Sequence, residues 1–476
     1  MSRWETWESL EQAERDARAA HAGRIAADLA ERGAVSGVAV TWVDNSGITR
    51  VKAVPLAKLQ RAAAWGIGVS GCFDTFLLDD SAAVAKYAGG PIGDLRLHPD
   101  LDRVTVLAGQ PGWAWAPGDR YRQDGAVHTI DARSLLRREA GRLEEAGYTV
   151  RAAFEVEWCV SVGLGDGFDP ACTGPAYGMA RLTERSDYIR DLLDAFAAQG
   201  VTVDQIHPEY AAGQYEVSVA AEDPVGAADT AVLVRETIRA VSARHGLRAT
   251  FAPKVLAGGV GNGGHVHVSL WREEWEGETS RRRNTMSGGE GRYGLTADGE
   301  AFAAGVLGHL PALLALGAPS VASYLRLIPS HWAGAFACWG LENREAALRF
   351  VAGSRGDGAG AANLEVKSFD AAANPYLVLA GLLAAGRSGL TAHATLPEPI
   401  EADPAGLPAG ELAERGIRAL PSQLAEAVEA WEADEVFAEA FGFEFVDTIA
   451  TVRRAEIELF AGATNEQIVE RTRWKH

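Results

Sequence analysis

Apolar residues recur at helical spacing from about residue 8 to residue 32, where Leu10, Ala13, Ala17, Ala20, Ile25 and Leu29 stand among charged neighbours. This spacing predicts an amphipathic N-terminal helix, ended by Gly33. Two strand-like runs follow, Val38 to Val43 and Ile48 to Val54, separated by Asp44-Asn45-Ser46-Gly47, whose turn chemistry predicts a β-hairpin. The segment from Pro111 to Asp124, punctuated by Gly112, Pro117, Gly118 and Asp119, breaks regular patterning and marks a boundary between domains. Beyond it, Ile130 to Glu145 reads as a helix, and Tyr148 to Val160 contains a strand whose alternate residues share a face. Asp223-Pro224 reads as an N-cap with proline in the first turn of a helix running to about His245, where Gly246 stops it. Asn374-Pro375 repeats the device before an apolar helix starting at Tyr376. The expected division is an N-terminal helix (1–34), a small sheet-rich domain (35–120) and a large second domain (121–476), an α+β organisation.

A length of 476 residues agrees with two domains, since single cores rarely grow so large. The apolar run Tyr376 to Ala385 is too short to span a bilayer, and Met1 is followed by Arg3, Trp4 and Glu5 rather than a signal-type apolar block, so the expected location is cytoplasmic, away from membranes. Cys72, Cys159, Cys172 and Cys338 lie far apart without CxxC pairing, which predicts reduced, mostly buried thiols. The net charge of −19 opposes nucleic-acid binding. The one basic run, Arg281 to Arg283, follows Glu273, Glu274, Glu276 and Glu278 and reads as a solvated loop.

Several polar groups break this bland picture. Glu155 and Glu157 project from one face of a strand, an arrangement open to a cation or to an ordinary polar surface. Glu209 and Glu216 bracket a segment that Gly213 lets bend, and they suit either a shared focus or two solvated positions. In Gly261-Asn262-Gly263-Gly264-His265-Val266-His267-Val268-Ser269, a glycine loop feeds a strand with two imidazoles on one face, which serve equally as ligands or as core histidines. With Glu365 these residues offer an oxygen-rich donor set that suits Mg²⁺ or Mn²⁺ better than structural zinc. Arg326, Arg344 and Arg349 supply forks for carboxylate or phosphate, and Lys367 supplies a point charge; each is otherwise an ion-pair partner at the surface.

The ordered series Glu-x-Glu, Glu209-x₆-Glu216 with Gly213-Gln214, Phe251-Ala252-Pro253-Lys254, His265-x-His267-x-Ser269, Arg326-Leu327-Ile328-Pro329, Asn343-Arg344 and Glu365-x-Lys367 leading to Asn374-Pro375-Tyr376 resembles the glutamine synthetase family. The resemblance implies a small β-grasp domain before a large catalytic domain with a curved antiparallel sheet. It implies stacked hexameric rings, a dodecamer, with the active site between neighbouring subunits. It assigns Glu157, Glu209 and Glu216 to one metal, and Glu155, His265 and Glu365 to a second beside the nucleotide phosphates. It further assigns His267 and Ser269 to ATP, Arg326 and Gly261 to the amino-acid substrate, and Arg344, Arg349 and Lys367 to the phosphoryl group. The implied reaction phosphorylates the γ-carboxylate of glutamate and passes the acyl group to nitrogen.

The pattern departs from the family where nitrogen would bind. Ser70 and Trp332 stand where ammonia-using members carry carboxylates. An ammonium–carboxylate pair about 4 Å apart at an effective dielectric near 20 gains about 4 kcal/mol, so losing one weakens ammonium capture roughly a thousandfold. The expected second substrate is therefore a small organic amine whose carbon part meets Trp332, with His331 as candidate base. The same loss of acids weighs against a multiply charged polyamine. Val260 stands where the family usually has an asparagine near the glutamate amino group, and Asn363 stands where another arginine is common. Two rivals stand beside this reading: an ammonia-using enzyme with Asp74 as a substitute carboxylate, and a catalytically silent binding or regulatory protein.

Overall fold

The computed structural model describes residues 12–31, 33, 35–163, 165–276 and 279–476. The N-terminal helix runs Gln12–Glu31; Leu10 and Arg32 lie outside the described residues, as do Met1, Arg3, Trp4, Glu5 and Glu278. Its buried Ala22 and Leu29 join the core of the first sheet.

That sheet contains β1 (Val35–Val43), β2 (Thr49–Pro55), β3 (Ile67–Val69), β4 (Leu95–Pro99), β5 (Thr105–Val106) and β6 (Gly112–Tyr121), in the order β2-β1-β6-β4-β3 with β5 on β6. The expected hairpin is β1–β2, with Gly47 in the left-handed region at φ 77°. The segment read as an irregular boundary is instead the strand at the centre of this sheet, parallel to β1 and antiparallel to β4. Its breakers have packing roles. A Cβ on Gly118 would lie 2.5 Å from Leu97 Cδ1 and 2.9 Å from Val40 Cγ1, so only glycine lets those layers close. Pro117 gives up no needed donor, and its carbonyl accepts the Asp100 N–H at 2.8 Å.

The larger sheet is built from β7 (Tyr148–Val162), β8 (Val203–Pro208), β9 (Gln214–Val219), β10 (Leu247–Thr250), β11 (Gly264–Glu276), β12 (Thr279–Asn284), β13 (Phe336–Leu341), β14 (Ala346–Val351), β15 (Asn363–Val366) and β16 (Arg418–Ala419). The order is β16-β13-β14-β15-β11-β7-β9-β8, with β10 on β7 and β12 on β11. Pairing is antiparallel, as expected, except for the parallel pair β13–β14. Arg281 to Arg283 are strand, not loop. Arg281 and Arg282 face Glu274 and Glu273 across the β11–β12 ladder, so opposite charges support the hairpin while staying solvated.

Alternation divides this sheet into two faces. Val156, Trp158, Val266, Val268 and Leu364 point into the main core, shared with the helices Pro224–Arg244, Ala297–Gly317 and Pro375–Ala392. Asp223 and Asn374 cap two of these helices, accepting from the Gly226 and from the Tyr376 and Leu377 N–H groups. Ala297–Gly317 is long and apolar enough to cross a membrane, but it is mostly buried here against Pro375–Ala392. These helices meet so closely that a Cβ on Gly305 would lie 2.8 Å from Gly389 Cα. The four cysteines are free thiols, three of them buried.

The two sheets are docked rigidly. The hairpin turn presses on residues 372–373, where a Cβ on Gly47 would come within 1.8 Å of the Ala372 carbonyl oxygen. Asn374 Nδ2 donates to the Val43 and Asp44 carbonyls at 3.1 and 3.2 Å. Arg133 joins Asp119 of β6 and Asp100, just beyond β4, to buried Asp229 of the helix Pro224–Arg244 at 2.7–3.0 Å.

Candidate active site

Strand register assembles the polar face of the large sheet. Glu155 of β7 stands opposite His265 of β11, and Glu157 stands opposite Glu216 of β9. Glu365 of β15 stands opposite both His267 of β11 and Arg349 of β14. Because the side-chain period is two, fixing one such pair fixes the rest. Glu209 reaches the same region because Gly213, at φ 72°, turns the chain between β8 and β9. Five of the six expected metal ligands thus line one cavity of about 1370 Å³, and the sixth, Glu365, joins them through Glu155 and His265.

The residues expected to hold metal fall into three close-set groups, and His265 Nδ1 lies 2.7 Å from Glu155 and 3.4 Å from Glu365. Glu155, His267 and Glu365 form one cluster; Glu155, Glu216 and His265 form a second; His207, Glu209 and Glu216 form a third. Glu157 stands slightly apart because Gln214 Nε2 donates to its Oε2 at 2.9 Å, while Oε1 lies 3.8 Å from His265 Nε2. His267, expected at ATP, turns toward the carboxylates, its Nε2 3.7 Å from Glu155 and its Nδ1 2.9 Å from Asn363 Oδ1. His207 was missed from sequence, although its position two before Glu209 on β8 was the available signal; its Nε2 lies 3.0 Å from Glu216 Oε1. Lys254 also lines the cavity.

The electrostatics show a site short of positive charge. Burial and the neighbouring Glu209 and Glu155 push the Glu157 carboxyl up to about 7 against the pull of Arg326. Burial likewise raises Glu216, and the short contact raises His207, so this pair keeps a proton at neutral pH. Burial and nearby Lys367 push His265 down to about 4. His267 rises to about 9, because Glu155 and Glu365 outweigh its burial. Burial opposes ionisation of Glu365, but Lys367 and His267 hold it down at about 2.

A cationic rim adjoins this cluster. Arg326 donates from Nη2 to the Lys367 carbonyl at 3.0 Å, while its buried Nη1 has no hydrogen-bond partner among the described residues. The glycine loop makes room for it: a Cβ on Gly261 would lie 2.6 Å from Arg326 Cγ, and one on Gly263 would lie 2.5 Å from His265 Nε2. Arg349 Nη1 and Lys367 Nζ reach Glu365 at 2.9 and 3.1 Å. Arg344 lines the cavity, exposed and without an ion pair among the described residues. Ser269 lines it too and accepts from Trp271 Nε1 at 2.9 Å. Val260, His331 and Trp332 complete the wall.

Ser70 is not part of this wall. Its Oγ accepts the Cys72 N–H at 3.3 Å and caps the short turn Gly71–Thr75 of the first domain. Asp74, the rival's substitute carboxylate, is occupied elsewhere: it is buried 2.5 Å from Arg120 Nη1 and 2.7 Å from His128 Nε2. Burial alone would raise its pKa, and these two partners hold it below the ordinary value.

The profile of the glutamine synthetase catalytic domain matches residues 129–472. The chain is 57% identical over 445 residues to gamma-glutamylpolyamine synthetase GlnA3 of Streptomyces coelicolor, covering 93% of this chain and 94% of that protein. It is 31% identical to glutamine synthetase of Methanocaldococcus jannaschii over 83% of this chain and 86% of the relative. Among solved structures, a novel glutamine synthase homolog superposes with a TM-score of 0.82 at 34% identity, covering 93% of this chain and 99% of that one. GmaS in complex with ADP superposes with a TM-score of 0.79 at 28% identity, covering 92% and 96%. This chain belongs to the glutamine synthetase family of ATP-dependent ligases.

Proposed function

We propose that the protein joins the γ-carboxylate of glutamate to a primary amino group of an aliphatic polyamine, by way of a γ-glutamyl phosphate. The carrying observation is the site itself: five carboxylates (Glu155, Glu157, Glu209, Glu216 and Glu365) and three imidazoles (His207, His265 and His267) beside a cationic rim, with Trp332 rather than a carboxylate where nitrogen would enter. The identity with a gamma-glutamylpolyamine synthetase reverses the weight that the missing acids placed against a polyamine. An acidic group outside the metal-donor set also remains at the cavity, since Asp204 lines it.

The donor set fits Mg²⁺ or Mn²⁺, which Glu155, Glu157, Glu209, Glu216, His265 and Glu365 would hold, with His207 and His267 close by. Bound there, such ions would draw charge from phosphoryl oxygens. Arg326, with its unpartnered Nη1 and the space left by Gly261, suits the α-carboxylate of glutamate. His267 and Ser269 lie toward the ATP side. Arg344, Arg349 and Lys367 neutralise the phosphoryl group as it moves from ATP to the γ-carboxylate. His331 is the candidate base for the amine, which attacks the acyl carbon and expels phosphate. Trp332 keeps water from the acyl phosphate and meets the carbon chain of the amine.

The reading extends to a β-grasp first domain over 35–120, a catalytic domain over 121–476, a cytoplasmic location and a dodecamer of two stacked hexamers. In that assembly Ser70 would serve a neighbouring subunit's site. The ammonia-using alternative loses support because Asp74 is bound by Arg120 and His128, and the silent alternative because so many carboxylates converge.

The test is phosphate release from glutamate and ATP with spermidine, putrescine, ethanolamine, methylamine and ammonium, with Mg²⁺ and with Mn²⁺. Polyamines should give the highest kcat/KM. Equal or faster turnover with ammonium would overturn the proposal, and no turnover with any nitrogen donor would favour the silent protein.

A further inference from the structure

The loop that carries Trp332 holds an unusual backbone. Ser330 and Trp332 sit at φ 60° and 54°, and Gly334 at φ 69°, so three alternate residues are left-handed and only one is glycine. For a bulky residue such as tryptophan this conformation is strained and persists only when its surroundings enforce it. The indole does not enforce it: the residue is 54% exposed and its ring meets no aromatic or cationic partner among the described residues. The backbone is held instead. Trp332 N–H donates to Glu345 Oε1 at 2.8 Å, and Ser330 Oγ donates to Asp403 Oδ2 at 2.7 Å.

Glu345 is itself well anchored. Its N–H donates to Asn343 Oδ1 at 3.0 Å, and Asn343 Nδ2 donates to the Ile400 and Ala402 carbonyls at 2.9 and 3.1 Å. It directly follows Arg344 and opens into β14, which carries Arg349. One carboxylate therefore ties the Trp332 loop to the segment that bears the phosphoryl-binding cations.

We infer that Glu345 is a positioning residue, whose carboxylate latches Trp332 N–H so that the indole stays across the mouth of the amine pocket. The inference rests on the ligase reading above. Glu345 holds the loop through an acceptor oxygen, and its negative charge is secondary.

The experiment combines kinetics, with spermidine as the amine, and hydrogen–deuterium exchange of the peptide spanning residues 329–335, on the full chain. E345A should raise KM for spermidine about tenfold, the loss of one charge-assisted hydrogen bond. KM for ATP and glutamate should stay within about twofold, and loop exchange should quicken about tenfold. E345Q, which keeps an acceptor oxygen, should recover most of both losses. W332A should match E345A in KM, and the double variant should be no worse than W332A alone, because the two act as a unit. Unchanged KM and exchange in E345A would overturn the inference. So would E345Q failing as fully as E345A, which would make Glu345 a direct contact for the amine cation, or losses that multiply in the double variant. If the unmodified protein turned over no polyamine, the substrate reading would fall, while loop exchange in E345A and E345Q would still decide the latch.

Discussion

The strand face that gathers the carboxylates and the loop that carries Trp332 border the same cavity but are specified in opposite ways. On the strand face, each side chain is fixed by register: Glu155 against His265, Glu157 against Glu216, Glu365 against His267 and Arg349. Moving one of them means slipping a ladder whose other face is the main core, so neighbouring pairs resist the change. The loop has no ladder, and its shape depends on a few hydrogen bonds to Glu345 and Asp403. On the proposed function, activation chemistry sits where drift is costly, and choice of nitrogen donor sits where a single substitution can re-aim a residue.

The most severe break should come on the strand face. Glu365→Gln removes a cluster member and the partner of both Arg349 and Lys367. It should lower kcat by at least about a hundredfold for every amine alike, read by phosphate release. Gly263→Ala should follow, because its Cβ would collide with His265 Nε2 and lie 2.7 Å from Glu157 Oε1. Its kcat/KM for glutamate should fall about ten- to a hundredfold, without a change in the ranking of amines. On the other side, Ser70→Asp with Trp332→Glu should raise ammonium kcat/KM about tenfold or more and lower that of the polyamine, measured in the same assay. A change of ranking from Gly263→Ala, or none from the double substitution, would dissolve the contrast between the two regions.

The smallest effect on activity is expected at Asp74. Asp74→Asn should leave ammonium and polyamine turnover within about twofold, while lowering stability at neutral pH by about 3 kcal/mol, because Arg120 stays buried with a weakened partner. The pH dependence has a definite sign. Asp74 titrates below its ordinary value in the folded chain, so its contribution is present above about pH 4 and lost as pH falls through the folded value. Urea midpoints across pH 3 to 7 should accordingly fall less steeply toward acid in the variant.

The same contrast explains what could be read in advance. Glu155/Glu157 and His265/His267 are legible because period-two spacing along a strand survives in one dimension. The capped helices beginning at Pro224 and Pro375 are legible because Asp-Pro and Asn-Pro act locally. The strand β6 is not, because Pro117 and Gly118 look like punctuation until Val40 and Leu97 close over them. His207 escapes because its value depends on Glu216 across a ladder, and the Arg281–Arg283 strand because its partners lie on β11. Trp332 could be singled out as a substitution, but its left-handed backbone is set by Glu345, thirteen residues later.

The seat of the first hairpin on residues 372–374 has a mechanical consequence. That contact leaves no slack at Gly47, and Asn374 pins the carbonyls of Val43 and Asp44 from below. The segment begins five residues beyond Lys367, so tilting the small sheet against the large one would drag on the backbone that carries Glu365. Hinge motion between the two sheets is therefore a poor way to admit substrates to a chain's own cavity.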